Sequence, residues 1–353
     1  MITEVYGVDD AAWPSVLDGQ PHDVYHLPAY ARLDAAADGE IPVAVHVADR
    51  TFELFLPIVL RPLPPMSGAE TGLLDARSPY GYPTPLVLSR QKTATPAERN
   101  DFLRSAVPAL VEKLRELHVV SAFIRLHPLP HLRLMTHALE AAGTVAEHGE
   151  SVWVDLTQDD ATLRSQLRTN HKRDLAKLAG AGFVGAVEEG WEALDDLKRI
   201  YRDTMDRVGA GDFYRRSDDF FSQLAAMEVF RIATVRRGGE VIAAGLFSEV
   251  GGHVQYYVGG TAREYLPMSP AKLLLLTVQH WAKERGNVAY NLGSGSGWGG
   301  AENPLFRFKL GFSPLRGPVT SWQLVVDPDR YRHLVEAAPA GPAVGYFPAY
   351  RHP

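Results

Sequence analysis

Residues 253–292, HVQYYVGGTAREYLPMSPAKLLLLTVQHWAKERGNVAYNL, carry the pattern that decides the fold. The stretches 253–258 and 288–292 have the composition of β-strands. Between them, residues 269–285 begin with a Ser-Pro start signal and keep apolar residues at helical spacing, and Gly286 ends the helix. A strand, a helix and a strand in this order are typical of an α/β fold.

The same order of elements occurs in the first half of the chain. There the sequence predicts strands at 41–47, 52–60 and 119–126, and a helix at 96–117 capped by Thr95. In the second half, strands at 230–235 and 241–249 precede the quoted stretch. The two sets lie roughly 175–190 residues apart. We therefore expect two similar α/β domains and an internal duplication.

Composition sets the broad class of the protein. At about 100–200 residues per domain, a chain of 353 residues with 46% apolar and 22% charged residues forms about two domains. We expect a first domain over residues 1–155, a second over 156–330 and a tail at 331–353, which from Ala337 lies as a loop over the surface. The first residues lack the pattern of a signal peptide, and no apolar run reaches the length of a membrane span. These features predict a cytoplasmic protein without integral membrane association.

Composition also excludes several kinds of chemistry. The absence of cysteine excludes disulfides, zinc–thiolate sites and cysteine nucleophiles. His127 and His131 are separated by Pro-Leu-Pro, which prevents the helix that would bring both rings to one metal, so we predict no metal site. A net charge of -6 argues against an extended nucleic-acid surface, and we expect no DNA partner. It leaves room for a local basic patch.

One such patch is predicted as a single basic helix from Arg164 to Lys177. It holds five basic residues against one acid, Asp174. Because like charges on one helix repel each other, an anionic partner such as the phosphates of a nucleotide or of an RNA end is one explanation. The alternative is an ordinary solvated helix face.

The second candidate site follows the strand at 288–292. The glycines at 295, 297 and 300 have G-x-G-x-x-G spacing, but the sequence after them does not resemble the helix that a dinucleotide site requires. Lys309 then stands in the apolar run LFRFKLGF. A lysine there loses hydration unless it faces a cavity or an anion. The alternative is a lysine whose stem packs beside the phenylalanines while its amine reaches water.

Several stretches in this order resemble the Fem-type aminoacyltransferases of the GNAT superfamily. They are SPYGYPTP (78–85), RSQLRTNHKRDLAKLAGAGF (164–183), YRDTMDRVGAGDFYRRSDDFF (201–221), YYVGGTAREYLPMSPAKLLLLTVQHWAKERGNVAYNLGSGSG (256–297) and FRFKLGF (306–312). The resemblance implies an α/β (α+β) fold of two tandem GNAT-like domains, each with a mixed central sheet flanked by helices, and a cleft between them. No insertion long enough for the helical arm of some members is present, so the chain resembles the compact, arm-less form.

The resemblance also implies an activity and the residues that carry it. Members transfer an amino acid from aminoacyl-tRNA to an amine, either on a peptidoglycan precursor or on a peptide-like natural product. Lys309 resembles the family's catalytic lysine, and the acceptor end of the tRNA would contact Arg164, Arg168, Lys172 and Arg173. The small amine-bearing substrate would contact Arg207, Tyr214 and one of Tyr256 and Tyr257, because neighbouring strand residues point to opposite faces and the other would lie in the core.

One departure concerns coenzyme A. GNAT acetyltransferases bind its pyrophosphate on a glycine-rich loop at a helix N-terminus, whereas residues 263–270 here read REYLPMSP. Leu266 and Met268 replace the glycines, and prolines have no amide hydrogen to donate. We therefore expect no bound cofactor, with aminoacyl-tRNA as co-substrate. The alternatives are an acyl-CoA-dependent N-acyltransferase and a non-catalytic GNAT pair that binds a nucleotide or an RNA end.

Overall fold

A computed structural model describes residues 1–63, 72–91, 93–295, 302–338 and 345–352. The chain forms two compact units. The first comprises Met1–His148 and Pro318–Pro353, and the second comprises Gly149–Gly317.

The secondary-structure elements are numbered in chain order. The strands are β1 (Ile2–Gly7), β2 (Ile41–Ala48), β3 (Phe52–Pro62), β4 (Leu74–Arg77), β5 (Leu86–Ser89), β6 (Val119–Leu126), β7 (Thr144–Asp155), β8 (Phe183–Val187), β9 (Phe230–Arg237), β10 (Glu240–Val250), β11 (His253–Thr261), β12 (Ala289–Gly293) and β13 (Arg316–Val325). The helices are α1 (Ala12–Leu17), α2 (Pro28–Asp34), α3 (Pro96–Glu116), α4 (Thr136–Glu140), α5 (Asp160–Gln166), α6 (Thr169–Gly180), α7 (Leu194–Arg207), α8 (Asp218–Ala226), α9 (Ala271–Glu284), α10 (Pro304–Lys309) and α11 (Pro328–Ala337).

The first unit is built on a mixed sheet. Antiparallel pairing joins β1 to β2, β2 to β3, and β3 to both β4 and β5. The next strand, β6, pairs with β4 in parallel and with β13 antiparallel. Apolar side chains of the sheet, among them Leu54 and Trp322, form one core with the buried face of α3.

The helix α3 begins where its sequence signals predict. The Thr95 hydroxyl accepts a hydrogen bond from the Glu98 amide at 3.3 Å, and the Glu98 carboxylate accepts one from the Thr95 amide at 2.8 Å. Pro96 occupies the first turn, where its missing amide hydrogen has no partner to lose. Phe102, Leu110 and other apolar residues at helical spacing face the core.

Replacement of Thr95 by alanine removes this cap. We expect a loss of about 1 kcal/mol in the free energy of unfolding, because the Glu98 amide loses its acceptor. Urea denaturation followed by circular dichroism measures the change. Thr144→Ala, at an exposed strand position, is the control. A loss no larger than that of the control would show that the cap contributes nothing to stability.

The C-terminal part of the chain returns to the first unit, which differs from the predicted domains 1–155 and 156–330. The reason is β13, which pairs with β6 from Thr320 opposite Leu126 to Val325 opposite Ser121 and adds Trp322 to the first core. The tail predicted at 331–353 begins inside α11, which ends at Ala337, and the loop predicted from Ala337 does not lie only on the surface in its described part, because Tyr350 is buried against Val120.

The second unit repeats the pairing pattern of the first. β9 pairs with β10 and β10 with β11, both antiparallel, and β11 then pairs with β12 in parallel after the connecting helix α9. In the first unit, β2, β3, β4 and β6 follow the same succession, with α3 before the parallel strand. β8 and β7 complete the second sheet beside β9 and β12. The prediction of two similar α/β domains is therefore confirmed.

The basic segment is not the single helix that the sequence predicts. α5 ends at Gln166, Leu167 is extended with φ -60° and ψ 128°, and α6 begins at Thr169. Arg168 between them is also extended, and its backbone amide donates to the Gly311 carbonyl at 3.0 Å. A tertiary hydrogen bond thus replaces a helical one, and the two halves of the basic segment separate.

Candidate active site

Lys309 lies on a short helix that follows the end of β12. Gly293 ends the strand with a φ of +81°, a conformation that favours glycine. The glycine-rich positions 296–301 lie outside the described residues. Asn303 then caps α10, its side-chain oxygen accepting from the Leu305 and Phe306 amides, and Lys309 occupies the last turn. Only 5% of Lys309 is exposed.

The amine of Lys309 is enclosed by backbone and an aromatic ring. Its Nζ donates to the Ser294 carbonyl at 2.6 Å and lies 5.4 Å from the centre of the Tyr256 ring. A Cβ at Gly293 would lie 3.3 Å from Nζ, so a larger residue there would press on the amine. Burial lowers the pKa of Lys309 to about 7, because the charged form loses its hydration. Near neutral pH this group can therefore donate a proton or accept one.

The two neighbouring tyrosines of β11 have different surroundings. Tyr256 is half-buried, stacks on Phe247 with ring centres 5.3 Å apart and faces Lys309, and burial raises its pKa to about 12. Tyr257 contacts the rings of Phe230 and Phe220 at 5.3 and 6.4 Å. Among the described residues, Tyr256 therefore lies beside the amine, whereas the ring contacts given for Tyr257, at an irregularity of the β10–β11 pairing, are with Phe230 and Phe220.

A buried row of polar side chains supports the end of β12, and sequence analysis missed it. Asn291 accepts from Ser151 at 2.7 Å and from the Gly293 amide at 3.0 Å, and it donates to Gln255 at 2.8 Å. All three side chains are buried, so these bonds hold the strand end that leads to Ser294. The available signal was an asparagine inside an apolar strand.

The four predicted tRNA contacts have different neighbours in the structure. Arg164 and Lys172 line a cavity of about 740 Å³ among α5, α6 and α9, whose floor includes Leu163 and Leu276. Lys172 donates to the Ser165 carbonyl at 3.1 Å.

The other two predicted contacts have different partners. Arg173 is exposed and pairs with the adjacent Asp174 at 3.2 Å. Arg168 instead donates from its guanidinium to the Arg307 carbonyl of α10 at 3.2 Å. The break between α5 and α6 is the physical reason for this separation.

Arg207 and Tyr214 are exposed and not joined to Lys309 by any contact between described residues. Arg207 ends α7 and donates to Thr204 at 3.3 Å. Tyr214 lies in a short 3-10 turn and is 42% exposed, and its carbonyl accepts from the Tyr201 hydroxyl at 2.7 Å. Their assignment to substrate binding stays a prediction.

The N-terminus of α9 lacks the backbone donors of a pyrophosphate loop. Residues Arg263–Met268 form a 3-10 turn, and Ser269 has the left-handed values φ 55° and ψ 51°. Pro270 follows without an amide hydrogen, and the Lys272 amide donates back to the Ser269 carbonyl at 3.0 Å. This end of the helix offers few free amides to a phosphate.

Two further features bear on the type of protein. Within the described residues, no group of three or more histidine, aspartate or glutamate side chains could hold a metal ion. None of the helices among those residues combines the length and the apolar character needed to cross a bilayer.

Comparison with known proteins identifies the fold. Residues 165–308 match the acetyltransferase (GNAT) domain family, and this match ends one residue before Lys309. No curated protein sequence matches the chain. A crystal structure of FemX aligns with a TM-score of 0.69 at 11% identity, covering 94% of this chain and 99% of that chain.

Two other solved structures align less closely. A C-terminal domain of a putative lysylphosphatidylglycerol synthetase from Agrobacterium fabrum has a TM-score of 0.53 at 14% identity, over 88% of this chain and 90% of that chain. L-PGS from Bacillus licheniformis has a TM-score of 0.51 at 15% identity, over 90% and 92%. The chain thus has a GNAT-type fold similar to that of FemX, and the predicted resemblance is confirmed at the level of fold. The matched domain is that of an acyltransferase.

Proposed function

We propose that this protein is an aminoacyltransferase that takes an amino acid from aminoacyl-tRNA and forms an amide bond with the amine of a small molecule. The acceptor is a peptide-like natural product or a peptidoglycan precursor. The observation that carries the proposal is the buried amine of Lys309, whose Nζ lies 2.6 Å from the Ser294 carbonyl at the end of β12.

The reaction is the aminolysis of an ester. The neutral acceptor amine attacks the aminoacyl carbonyl carbon, a carbon–nitrogen bond forms and a tetrahedral oxyanion develops. The carbon–oxygen bond to the tRNA ribose then breaks, and the proton lost by the amine ends on the ribose hydroxyl. Protonated Lys309 would donate a hydrogen bond to the oxyanion, and a donor placed in this way typically contributes about 10²–10³ in rate.

The choice of aminoacyl-tRNA rather than acyl-CoA as the acyl donor rests on the N-terminus of α9 and on the sequence resemblance. Leu266 and Met268 stand where a pyrophosphate loop has glycines, and Pro267 and Pro270 lack amide hydrogens. An acyl group on tRNA needs no such loop. The name of one structural neighbour, lysylphosphatidylglycerol synthetase, also denotes a product that bears an amino acid.

The second candidate function is an acyl-CoA-dependent N-acyltransferase, which the match of residues 165–308 to the acetyltransferase family favours. A third is a GNAT pair that binds an RNA end without turnover. The three functions differ in the compound that is consumed.

The test offers the purified protein both acyl donors, charged tRNA and acetyl-CoA, in parallel. One arm contains bulk bacterial tRNA charged with radiolabelled amino acids, and the other contains radiolabelled acetyl-CoA. Each arm receives the small-molecule fraction of a bacterial lysate as acceptor, and parallel samples are treated with RNase before the enzyme is added. RNase-sensitive transfer of label to a small molecule supports the proposal. RNase-insensitive transfer from acetyl-CoA would support the second function, and saturable RNA binding without product would support the third.

The cavity lined by Arg164 and Lys172 predicts where charged tRNA binds. Reversal of both residues to glutamate replaces attraction to phosphate by repulsion, so we expect KM for charged tRNA to rise roughly tenfold with kcat little changed. The dependence of KM on salt should also weaken. Steady-state kinetics at several salt concentrations measures both effects.

The control reverses two other exposed arginines, Arg199 and Arg202 of α7, which pair with aspartates. An equal rise in KM in the control would attribute the effect to net charge. Unchanged kinetics in the Arg164 and Lys172 variant would identify that surface as a solvated helix face.

A further inference from the structure

The helix that carries Lys309 is too short to hold its own position. α10 has six residues, and isolated helices of this length are unstable in water. In its last turn, the Phe308 and Lys309 carbonyls accept only short-range bonds, from the Gly311 and Phe312 amides at 3.0 Å, which do not tie the helix to the rest of the unit. Burial of the Lys309 amine adds a further cost, because the amine leaves water. Contacts from another element must therefore fix the last turn.

Those contacts come from the start of α6. The Arg168 guanidinium donates to the Arg307 carbonyl at 3.2 Å, and the Arg168 backbone amide donates to the Gly311 carbonyl at 3.0 Å. His171 Nε2 lies 3.1 Å from the Phe308 carbonyl. The accepting carbonyls thus flank Lys309 on both sides, and the cation of Arg168 also suits the negative end of a helix.

The His171 ring also makes close packing contacts. It is 2% exposed, and its centre lies 4.8 Å from that of Phe312 and 5.6 Å from that of Phe308. A Cβ at Gly311 would lie 2.1 Å from the ring, so only glycine fits there. A movement of the His171 ring would therefore displace residues 308–312.

The surroundings of His171 favour the neutral form of its ring. Burial and the cation of Lys272 on α9 lower its pKa to about 4, with Arg168 lowering it further and Asp174 on α6 opposing the shift. A neutral ring carries one N–H, and with the proton on Nε2 it donates to the Phe308 carbonyl, while Nδ1 lies 3.2 Å from Asn170 Oδ1.

We propose that Arg168 and His171 are positioning residues that hold the last turn of α10 and thereby direct the Lys309 amine toward the reacting carbonyl. This inference rests on the proposed function for its catalytic consequence. It gives Arg168 a role different from the tRNA contact that the sequence predicts. The geometry that it explains, a buried amine on a six-residue helix, exists whatever the substrate.

The test compares His171→Phe, which keeps the ring but loses the donor, with His171→Gln, whose amide can donate in its place. The Lys309 side chain is titrated by NMR in protein labelled with ¹³C-lysine, and its resonance is assigned with Lys309→Met. In the parent we expect a pKa of about 7. In His171→Phe we expect the pKa of Lys309 to rise by about one unit or more toward the ordinary value of a lysine in water, because water reaches a less constrained amine.

Kinetics gives the second readout. We expect kcat of His171→Phe to fall about 10- to 100-fold with KM values within about twofold, because a small displacement of a catalytic group acts on the chemical step. His171→Gln should restore most of the lowered pKa of Lys309 and most of kcat. His137→Phe is the control, since the side chain of His137 is fully exposed.

An unchanged Lys309 titration in His171→Phe would overturn the inference. If that variant does not fold by circular dichroism, Arg168→Met provides the same two readouts, because Arg168 is exposed and its backbone bond to Gly311 remains. A parent enzyme that consumes no charged tRNA would refute the proposed function alone, since the NMR titration needs no substrate.

Discussion

Substitution of Lys309 by methionine is expected to lower kcat by about 10²–10³-fold and to leave the fold intact. Methionine has a similar length and fills the same space, but it cannot donate a hydrogen bond to the oxyanion. Loss of transfer from charged tRNA, measured beside the circular dichroism spectrum, checks the expectation. Lys113→Met is the matched control, because Lys113 lies on α3 and pairs with Glu116.

The pH dependence of kcat and of the free energy of unfolding distinguishes a catalytic Lys309 from one with only a structural role. Its pKa is lowered from 10.5 to about 7 in the folded protein, so the protonated fraction and kcat should fall as pH rises above about 7. Between about pH 7 and 10.5, the Lys309 amine binds a proton in the unfolded chain but not in the folded protein. The contribution of Lys309 to the free energy of unfolding therefore increases with pH over this range. In Lys309→Met that increase should disappear. Near-normal product formation by the variant would remove Lys309 from the mechanism.

The largest effect on stability is expected from Asp75→Ala. The Asp75 side chain is fully buried in the first unit and accepts from Arg61 Nε at 2.8 Å, from the Tyr350 hydroxyl at 3.2 Å and from Arg351. Its removal leaves two largely buried guanidinium groups without their carboxylate. We expect a loss of about 3–5 kcal/mol in the free energy of unfolding, measured by urea denaturation.

Two further variants show where this stability originates. Asp101→Ala removes a carboxylate that pairs with Arg104 on the exposed face of α3, and exposed pairs contribute little. Arg351→Gln removes one of the two partners that the C-terminal segment supplies and leaves Tyr350, so it should cost less than Asp75→Ala. If Asp75→Ala were as stable as Asp101→Ala, the buried cluster would not be a determinant of stability.

Much of the fold was accessible from sequence because it depends on local signals. The capping box at Thr95 and the glycine at 286 mark the ends of α3 and α9, and the alternating strands around them follow from side-chain burial on pleated surfaces. The repeated order of these elements predicted two similar domains. The strand β13 escaped prediction, because its place depends on pairing with β6, about 195 residues away in the chain.

Less of the candidate site could be predicted, and the basic segment shows why. Charge and periodicity over residues 164–177 are those of one helix. The break at Arg168 is made by a hydrogen bond to Gly311, a residue that no local pattern connects to it. Arg164 and Lys172 therefore line a cavity while Arg168 contacts α10.

The amino-acid sequence by itself determined that Lys309 stands in an apolar run after a glycine-rich segment, and from strand alternation it predicted that one of Tyr256 and Tyr257 lies in the core. Only the tertiary structure decided which tyrosine faces the amine, that Nζ meets the Ser294 carbonyl, and that His171 holds the last turn of α10. Side-chain type and alternation are properties of neighbouring residues. The environment of the buried amine instead depends on Tyr256 of β11 and on Ser294 after β12, and the position of its helix depends on contacts with α6, and only the folded chain brings these together.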